Sequence, residues 1–403
     1  MRSVQTIKIY DPKKFPQDFE KSAQALLASN AKLESSFLSQ FILDSEGKLR
    51  SELEDVMLTG NDRFMGSIKN GTRVGKGVCY YANGDKYFGD WAEDQFDGEG
   101  VYIFSNGERY QGRLVTGKKQ GLGKYHYLNG SVYEGEWRDD SKNGRGRYLY
   151  FNYGDEYEGE FLNNQKHGQG EYRFNSGDVY KGSFEKNMRS GEGTLFCVDG
   201  TQISGTWSDH TLHGKAAISY SNKEHFEGNF HRNESHGPGR YLFADGSVYE
   251  GEWKGMRKHG RGRYRYANGG LYEGEFDQDQ RSGKGVYTFA DGGVYDGRFE
   301  NDLPNGIGTR KYPNGDIYKG NVANGKREGE GSIQYSNGET YQGGWLNDQK
   351  SGRGVYTWKT GDRYNGEWLE DEMHGKGILT VKGGLENYRV EHKHGTLIST
   401  DKM

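Results

Sequence analysis

The amino-acid sequence predicts an all-β repeat array: an extended, twisted antiparallel β-hairpin meander, solenoid-like and rod-shaped, with a short α-helical N-terminal segment. Three observations predict this fold. Most of the chain repeats with a period of 23 residues, polar and apolar residues alternate inside each repeat, and glycine accounts for 65 of the 403 residues. Alternation with period two indicates strands that bury one face, and regularly spaced glycines indicate turns between them.

The composition argues against several other architectures. Hydrophobic residues make up 32% of the chain and the mean hydropathy is -1.02, which is too polar for the thick cores of two or three globular domains. Aromatic residues reach 14% and there are 5 prolines, which argues against a disordered chain. The net charge of -4 is close to balance, so we expect no nucleic-acid partner.

Fourteen repeats align with one another, and their positions are numbered here from the first aromatic residue of each. Position 1 is aromatic in 13 repeats, positions 3 and 12 are glycine in all 14, and position 14 is glycine in 13. The array occupies residues 64–386, between a non-repeating segment with an amphipathic helix at 1–62 and a C-terminal cap or tail at 387–403. The repeats begin at Phe64, Tyr87, Tyr110, Tyr133, Tyr157, Tyr180, Ile203, Phe226, Tyr249, Tyr272, Tyr295, Tyr318, Tyr341 and Tyr364.

Each repeat predicts one hairpin. Positions 1, 3 and 5 form one side of a first strand, as in Tyr133-Glu-Gly-Glu-Trp137, and positions 12, 14 and 16 continue the pattern in a second strand. A flat aromatic ring can lie across a neighbouring strand only where that strand has no Cβ, which gives the glycines a steric reason. Asn-Gly and Asp-Gly pairs between repeats suit tight turns with positive φ.

The aromatic side of the array is the candidate partner-binding surface. We expect its rings to line a groove that accepts a segment of a partner protein; the alternative is that packing between hairpins uses them fully. The candidate groove residues are Trp91, Trp137, Trp207, Trp253, Trp345, Trp368, Tyr133, Tyr249, Tyr341 and Tyr364.

Two repeats depart from the pattern. The repeat beginning at Ile203 lacks the first aromatic ring, has Ala216 at position 14 and has Lys223 in place of the turn glycine, so we expect a looser or bent hairpin. The repeat beginning at Tyr133 carries one extra residue within 151–153, which predicts a longer turn after that hairpin.

Apolar residues at three- and four-residue steps before the repeats predict one or two amphipathic helices between Pro16 and Ile42. We expect the helix to cover the open edge of the first hairpin, because exposed strand edges promote unwanted pairing; docking of a partner is the alternative. The residues expected to make this capping or docking contact are Phe19, Leu26, Leu33, Phe37 and Phe41.

Charge also follows the repeat. Positions 2 and 4 are mainly acidic, whereas positions 13 and 15 are mainly basic. If position 4 faces 13 and position 2 faces 15, then Glu136 pairs with Arg145, and Glu134 pairs with Arg147, inside one hairpin. Such pairs neutralise the basic strand, which favours a structural ladder over a lipid-binding stripe.

The sequence contains no recognisable motif for catalysis or for a cofactor. It has no G-x-G-x-x-G or Gly-Lys-Ser/Thr loop, no G-x-S-x-G elbow and no H-E-x-x-H motif. Histidines recur at position 11, but equivalent positions of adjacent hairpins lie ~10 Å apart, too far to share a zinc ion. We expect no enzyme activity, no cofactor and no metal, and interpret these histidines as turn residues: His167, His213, His236, His259 and His374.

The remaining signals predict an intracellular location. Cys79 and Cys197 lack the spacing of a disulfide framework or a zinc site, which favours a reducing compartment. The first residues lack the apolar core of a signal peptide, and no stretch approaches the ~18 apolar residues of a membrane span.

The repeat beginning at Tyr249, with Tyr-Glu-Gly-Glu-Trp, then Gly-Arg-Gly-Arg-Tyr and a closing Asn-Gly, resembles the MORN (membrane occupation and recognition nexus) repeat. The resemblance covers residues 64 to 386 and implies an extended, twisted β-meander with a groove. The family includes junctophilins, regions of plant phosphatidylinositol phosphate kinases, parasite cytoskeletal scaffolds and radial spoke head proteins of motile cilia.

The resemblance implies a structural scaffold that binds other proteins in a cytoskeletal assembly, with the radial spoke head of a ciliary or flagellar axoneme as the leading candidate. The expected partners are proteins of that complex, including other MORN-repeat chains, and the expected location is the cytoplasm. A membrane-associated tether that recognises phosphoinositides is the alternative function.

Overall fold

A computed structural model describes the backbone of residues 16–403 and the side chains of residues 21–403 other than that of Lys382. The chain divides into two compact units, the first ending at Ser221 and the second formed by Asn222–Met403. The boundary lies in the turn near the end of the repeat beginning at Ile203.

Among its described residues, the first unit contains one α-helix, one π-helical turn and fifteen strands. These elements are α1 (Pro16–Phe37), the π-helical turn (Leu38–Ile42), β1 (Glu54–Met57), β2 (Arg63–Lys69), β3 (Thr72–Tyr80), β4 (Lys86–Ala92), β5 (Gln95–Ile103), β6 (Arg109–Val115), β7 (Lys118–His126), β8 (Val132–Arg138), β9 (Ser141–Tyr150), β10 (Asp155–Leu162), β11 (Gln165–Arg173), β12 (Val179–Glu185), β13 (Met188–Phe196), β14 (Gln202–Ser208) and β15 (Thr211–Ser219).

The second unit contains sixteen strands and a short 3-10 turn. They are β16 (His225–His231), β17 (Glu234–Leu242), β18 (Val248–Lys254), β19 (Arg257–Arg265), β20 (Leu271–Asp277), β21 (Gln280–Thr288), β22 (Val294–Glu300), β23 (Leu303–Lys311), β24 (Ile317–Ala323), β25 (Lys326–Gln334), β26 (Thr340–Leu346), β27 (Gln349–Thr357), β28 (Arg363–Leu369), β29 (Glu372–Val381), the turn (Lys382–Gly384), β30 (Glu386–Lys393) and β31 (Thr396–Lys402).

Within each unit, every strand pairs antiparallel with the next strand along the chain, so the predicted β-hairpin meander with one N-terminal helix is confirmed. A typical repeat supplies a strand of 7 residues and then a strand of 9, as β18 and β19 do. Residues 387–403, which we predicted to be a cap or tail, lie almost entirely in the last pair of strands, β30 and β31.

A row of glycines runs across the strands and determines how closely the aromatic rings approach the backbone. Gly251 on β18 is in register with Gly262 on β19, which is in register with Gly274 on β20. A Cβ built on Gly251 would lie 2.5 Å from Tyr249 Oη and 2.5 Å from Gly262 Cα. The tyrosine ring therefore occupies the space that a side chain at position 3 or 14 would need.

A β-bulge follows the position-3 glycine in every repeat, as between Gly251 and Trp253. Gly260 at position 12 takes the left-handed φ of +57° on the opposite strand. The hydroxyl of Tyr249 donates a hydrogen bond of 3.0 Å to the carbonyl of Glu252, the residue inside the bulge. The same bond to position 4 is made by all the position-1 tyrosines: Tyr87, Tyr110, Tyr133, Tyr157, Tyr180, Tyr249, Tyr272, Tyr295, Tyr318, Tyr341 and Tyr364.

The two irregular repeats keep the hairpin. In the repeat beginning at Ile203, Gly205 pairs with Ala216 in the usual register and the bulge follows as elsewhere. Because Ile203 has no ring to lie over position 14, the methyl group of Ala216 takes the space that a tyrosine would fill. In the repeat beginning at Tyr133, the extra residue lengthens the turn, where Gly154 N donates to Tyr150 O at 2.8 Å.

The N-terminal helical segment packs against a face of the first unit. Ile42 of the π-helical turn is 0% exposed in a cluster with Met65, Val78 and Phe88, which occupy positions that are polar in most repeats. The first sheet edge is instead paired with β1. Our prediction that the helix covers this edge is therefore corrected: the apolar residues of the first two repeats provide a larger surface to bury.

We expect Gly262→Ala to lower the free energy of unfolding by about 1–3 kcal/mol, because the new methyl overlaps the Tyr249 ring. In a Tyr249→Ile background, which reproduces the natural pair Ile203 and Ala216, the same change should cost much less. Chemical denaturation of the two single variants and the double variant measures this coupling. Additive effects would contradict the ring-over-glycine contact, and Glu250→Ala on the other face is the control.

Lys223 provides a test of turn strain. It has a φ of +71°, whereas Gly246 at the equivalent turn position has +86° and no atom within 4 Å of an added Cβ. A left-handed residue with a side chain costs about 1 kcal/mol, so Lys223→Gly should raise the denaturation midpoint. Gly246→Lys should lower it by a similar amount, and a fall for both variants would show that the Lys223 side chain makes a stabilising contact.

Candidate functional site

A long groove lies in the first unit, on the face opposite the position-1 rings. Its volume is about 1460 Å³, and it extends across the strands from Glu99 on β5 to Gly205 on β14. Nine glycines of positions 3 and 14, from Gly112 to Gly205, line its floor. Positions 3 and 14 face the rings, so on this side their backbone lies open between two walls of polar side chains.

The walls combine both signs of charge. Positions 2 and 15 form one wall and positions 4 and 13 form the other, because these positions flank the glycine row. The exposed side chain of Leu122 at position 13, with 74% of its surface accessible, is an apolar group in this polar setting. The charged residues of the groove are Glu99, Lys124, Glu134, Arg145, Arg147, Glu158, Glu160, Glu171, Lys181 and Glu192.

Ion pairs on this face join one hairpin to the next strand. Lys124 on β7 lies 2.8 Å from Glu134 on β8, and this hydrogen bond lowers the pKa of the Glu134 carboxyl. Arg147 on β9 lies 2.6 Å from Glu156 on β10. The predicted pairing inside the hairpin is thus wrong for Glu134 and Arg147, which are in register but bond to other partners.

The second predicted pair, Glu136 with Arg145, is also wrong, because the bulge moves Glu136 out of register within its hairpin. Glu136 instead accepts a 2.9 Å hydrogen bond from the backbone N–H of Arg145. The opposite strand partner of Arg145 is Glu160, at position 4 of the following repeat.

The ten candidate aromatic residues lie on the other face, in the packing between hairpins. The six tryptophans are between 2% and 6% exposed, and the four tyrosines are 0% exposed. Trp253 makes edge-to-face contacts with Tyr249 of its own repeat at 5.1 Å and with Phe226 of the preceding repeat at 5.0 Å. The structure therefore places these rings in the contacts between hairpins, and places the long groove on the opposite face.

Cations over these rings are a feature that our sequence analysis missed. Nine repeats have lysine or arginine at position 10, directly before the turn-side histidine position. The Lys142 Nζ lies within 6.0 Å of four ring centroids, the nearest being that of Tyr148 at 4.7 Å, and burial lowers its pKa to about 8. The nine residues are Arg73, Lys119, Lys142, Lys166, Arg189, Lys258, Arg281, Arg327 and Lys350.

Side chains also connect the hairpin turns to one another. The backbone N–H of Lys258 at position 10 donates a 2.9 Å hydrogen bond to Asp279 at position 8 of the next repeat. Arg327 repeats this arrangement with Asp348 and adds an ion pair of 3.1 Å. These cations are thus held between aromatic rings and a neighbouring turn, which leaves them poorly placed to meet an anionic surface.

Four of the five candidate helix residues are buried or half-buried in the first unit. Leu26 is buried, and Leu33, Phe37 and Phe41 are half-buried; Phe37 lies 5.9 Å from Phe88 between ring centroids. The side chain of Phe19 lies outside the described residues.

Polar contacts fix the same helix to the strands. Glu34 accepts hydrogen bonds from Tyr80 and from Lys86, at 3.0 and 2.7 Å. The buried Arg109 donates to Asn30 at 3.0 Å. Charge-assisted bonds of this kind are stronger than neutral ones, so the helix is an integral part of the first unit.

In the described part of the chain, no three His, Cys, Asp or Glu side chains lie close enough to hold a metal ion. Cys79 is buried and Cys197 is half-buried, and both are free thiols. None of the described helices has both the length and the apolar character that crossing a membrane requires.

A single layer of near-identical hairpins, with a long open groove across its strands, defines a repeat scaffold of the kind that binds other proteins. The family model described as MORN repeat matches thirteen of the fourteen repeats, and the chain belongs to the MORN-repeat family. The repeat at Ile203 is the unmatched one. The matched residues are 64–86, 87–109, 110–132, 133–154, 157–179, 180–202, 226–248, 249–271, 272–294, 295–317, 318–340, 341–363 and 364–384.

The solved structures that match the chain include two domains of similar name. The wild-type TCP10 domain of Danio rerio CPAP is 13% identical, with a TM-score of 0.30, and the match covers 52% of this chain and 99% of that domain. The SAS-4 (dCPAP) TCP domain of Drosophila melanogaster, solved in complex with a proline-rich motif of Ana2 (dSTIL), is 15% identical, with a TM-score of 0.23 and coverage of 50% and 89%. No curated relative matches the sequence.

The buried tyrosines make stability sensitive to alkaline pH. Burial raises the pKa of Tyr180 and of Tyr318 to about 12, above the usual 10.0. Because the folded state favours the neutral phenol, the stabilisation is complete below pH 10 and is lost between pH 10 and 12. We expect tyrosinate absorbance and loss of the β-sheet circular dichroism to appear together as the pH rises. Tyr180→Phe should reduce the slope of the free energy of unfolding against pH. Tyrosinate formed in an intact sheet would contradict this prediction.

Proposed function

We propose that this protein is a non-enzymatic scaffold that binds a segment of another protein in the groove of its first unit. The observation that supports this most directly is the continuous glycine floor from Gly112 to Gly205. A floor without side chains lets a partner's backbone approach closely, and the regular repeat offers equivalent contacts at each hairpin.

The charges of the groove favour a protein partner over an anionic membrane. Six carboxylates and four cations line the groove, so its formal charge is -2. A phosphoinositide headgroup would meet net repulsion there, whereas a polypeptide can match alternating charges along its length. The apolar side chain of Leu122 adds a contact that a partner could bury.

We further propose a cytoplasmic, cytoskeletal location in a ciliary or flagellar axonemal assembly such as the radial spoke head. Membership in the MORN-repeat family supports this location, since that family includes radial spoke head proteins and other cytoskeletal scaffolds. The partners would be proteins of the same complex, including other MORN-repeat chains.

Leu122→Arg tests the groove with little risk to the fold, because several repeats carry a basic residue at position 13. Ile307→Arg is the matched control: Ile307 also occupies position 13, is 74% exposed and lies in the second unit, outside the groove. In quantitative affinity purification from the native source, we expect the first variant to lose specific co-purifying proteins by about tenfold or more, and the control to keep them.

Two results would reject this function. The first is an identical set of bound proteins for the wild type and Leu122→Arg. The second is salt-sensitive sedimentation of the wild-type chain with anionic vesicles, together with no specific protein partner, which would favour the membrane tether.

A further inference from the structure

The repeat beginning at Tyr295 departs from the pattern at two positions, and the next repeat at one, and the three positions converge in space. Pro304 replaces the common cation of position 10, Arg310 replaces the common tyrosine of position 16, and Val322 of the next repeat replaces the common aromatic residue of position 5. All three line one cavity of about 250 Å³ on the aromatic face of the second unit.

The cavity exists because two bulky groups are missing. In the repeat beginning at Tyr341, Lys350 extends over Trp368 at 4.8 Å and over Tyr356 at 5.2 Å, which fills the equivalent space. The ring of Pro304 is too short to reach over its neighbours, and the Val322 side chain is far smaller than an indole. Space of this kind, left in an otherwise regular array, is expected at a functional position.

Arg310 supplies the charge. Its guanidinium lies over Phe289 at 4.5 Å and over Tyr312 at 5.0 Å, and its buried Nε has no hydrogen-bond partner. Among the described residues, Arg310 makes no ion pair, whereas Arg327 on the same cavity is paired with Asp348 at 3.1 Å. A guanidinium donor without a partner is costly to bury, so this position is suited to an added anion.

Two tyrosine hydroxyls at the cavity are already used. The hydroxyl of Tyr295 donates to Arg298 O at 3.3 Å, and that of Tyr318 donates to Asn321 O at 2.7 Å. The formal charge of the lining is +1, because only Arg310, Arg327 and Asp348 are charged. Arg310 is therefore the group that would bind an incoming oxyanion, in a space of single-side-chain size.

A second cavity indicates what carries the oxyanion. It has a volume of about 310 Å³, shares Tyr312 and Arg327 with the first cavity, and is lined also by Tyr335 and Trp345. Equivalent positions of successive hairpins are ~10 Å apart, which is the span of about three residues of extended chain. An extended polypeptide could thus contact both cavities.

We propose that the Arg310 cavity binds one acidic side chain, either a carboxylate or a phosphorylated residue, presented by an extended segment of a partner protein. The site belongs to the second unit and to the aromatic face, so it does not depend on the groove of the first unit. Failure of the groove variant Leu122→Arg to lose its partners would leave this proposal unchanged.

The test uses the full chain and labelled pentapeptides of alanine with a central glutamate, glutamine or phosphoserine, measured by fluorescence anisotropy. We expect the glutamate or the phosphoserine peptide to bind at least about tenfold more tightly than the glutamine peptide, and the preferred one of the two identifies the side chain. Arg310→Gln should abolish the preference. Arg298→Gln, an exposed arginine at position 4 of the same repeat, should leave it unchanged.

Val322→Trp is a second variant that should remove the preference without unfolding the chain. Tryptophan is common at position 5, so it should fill the cavity while the hairpin is kept. Equal binding of all three peptides, or a preference that survives both Arg310→Gln and Val322→Trp, would overturn the proposal. Sedimentation with phosphoinositide vesicles that requires Arg310, without any peptide preference, would also overturn it in favour of a lipid.

Discussion

The architecture depends on one contact, in which the ring of a position-1 tyrosine lies flat over two glycines in register. A sheet one layer thick has no second layer to pack against, so this contact supplies the burial that a core provides in other folds. Tyr249 is 0% exposed although its strands have no partner layer above them. Its hydroxyl also satisfies the carbonyl of Glu252 inside the bulge, so one side chain provides both apolar burial and a hydrogen bond.

The opposite face follows from the alternation of side chains along each strand. Side chains at positions 3 and 14 would point to the rings, so on the polar face this row is open backbone between positions 2 and 15 and positions 4 and 13, as from Gly112 to Gly205. The first two repeats show the alternative, since Met65 and Phe88 cover this face with the N-terminal helical segment. Packing of rings on one face and an open backbone on the other are thus both results of the period-two alternation of the strands.

The meander, the hairpin boundaries and the glycine packing could be predicted from periodicity, because these features depend on spacing along the chain. The partners of position 4 could not, since the bulge beside Gly260 shifts the register by two residues and redirects position 4 to the neighbouring hairpin. The helix position was visible in part: Met65 and Val78 are apolar where most repeats are polar. The cations of position 10 could also be found in the sequence, whereas their proximity to aromatic rings, as for Lys142, required the structure.

Pairing between consecutive strands has a consequence for how the chain is made. Nearly every backbone contact joins residues fewer than about 25 positions apart, so contact order is low and each hairpin can add to the one before it while synthesis continues. The helix is the exception, because Asn30 bonds to Arg109, 79 residues away. On the ribosome, the contact of Asn30 would therefore wait until β6 has emerged and been added to the growing sheet, whereas the contacts of Glu34 and Phe37 need only β3 and β4.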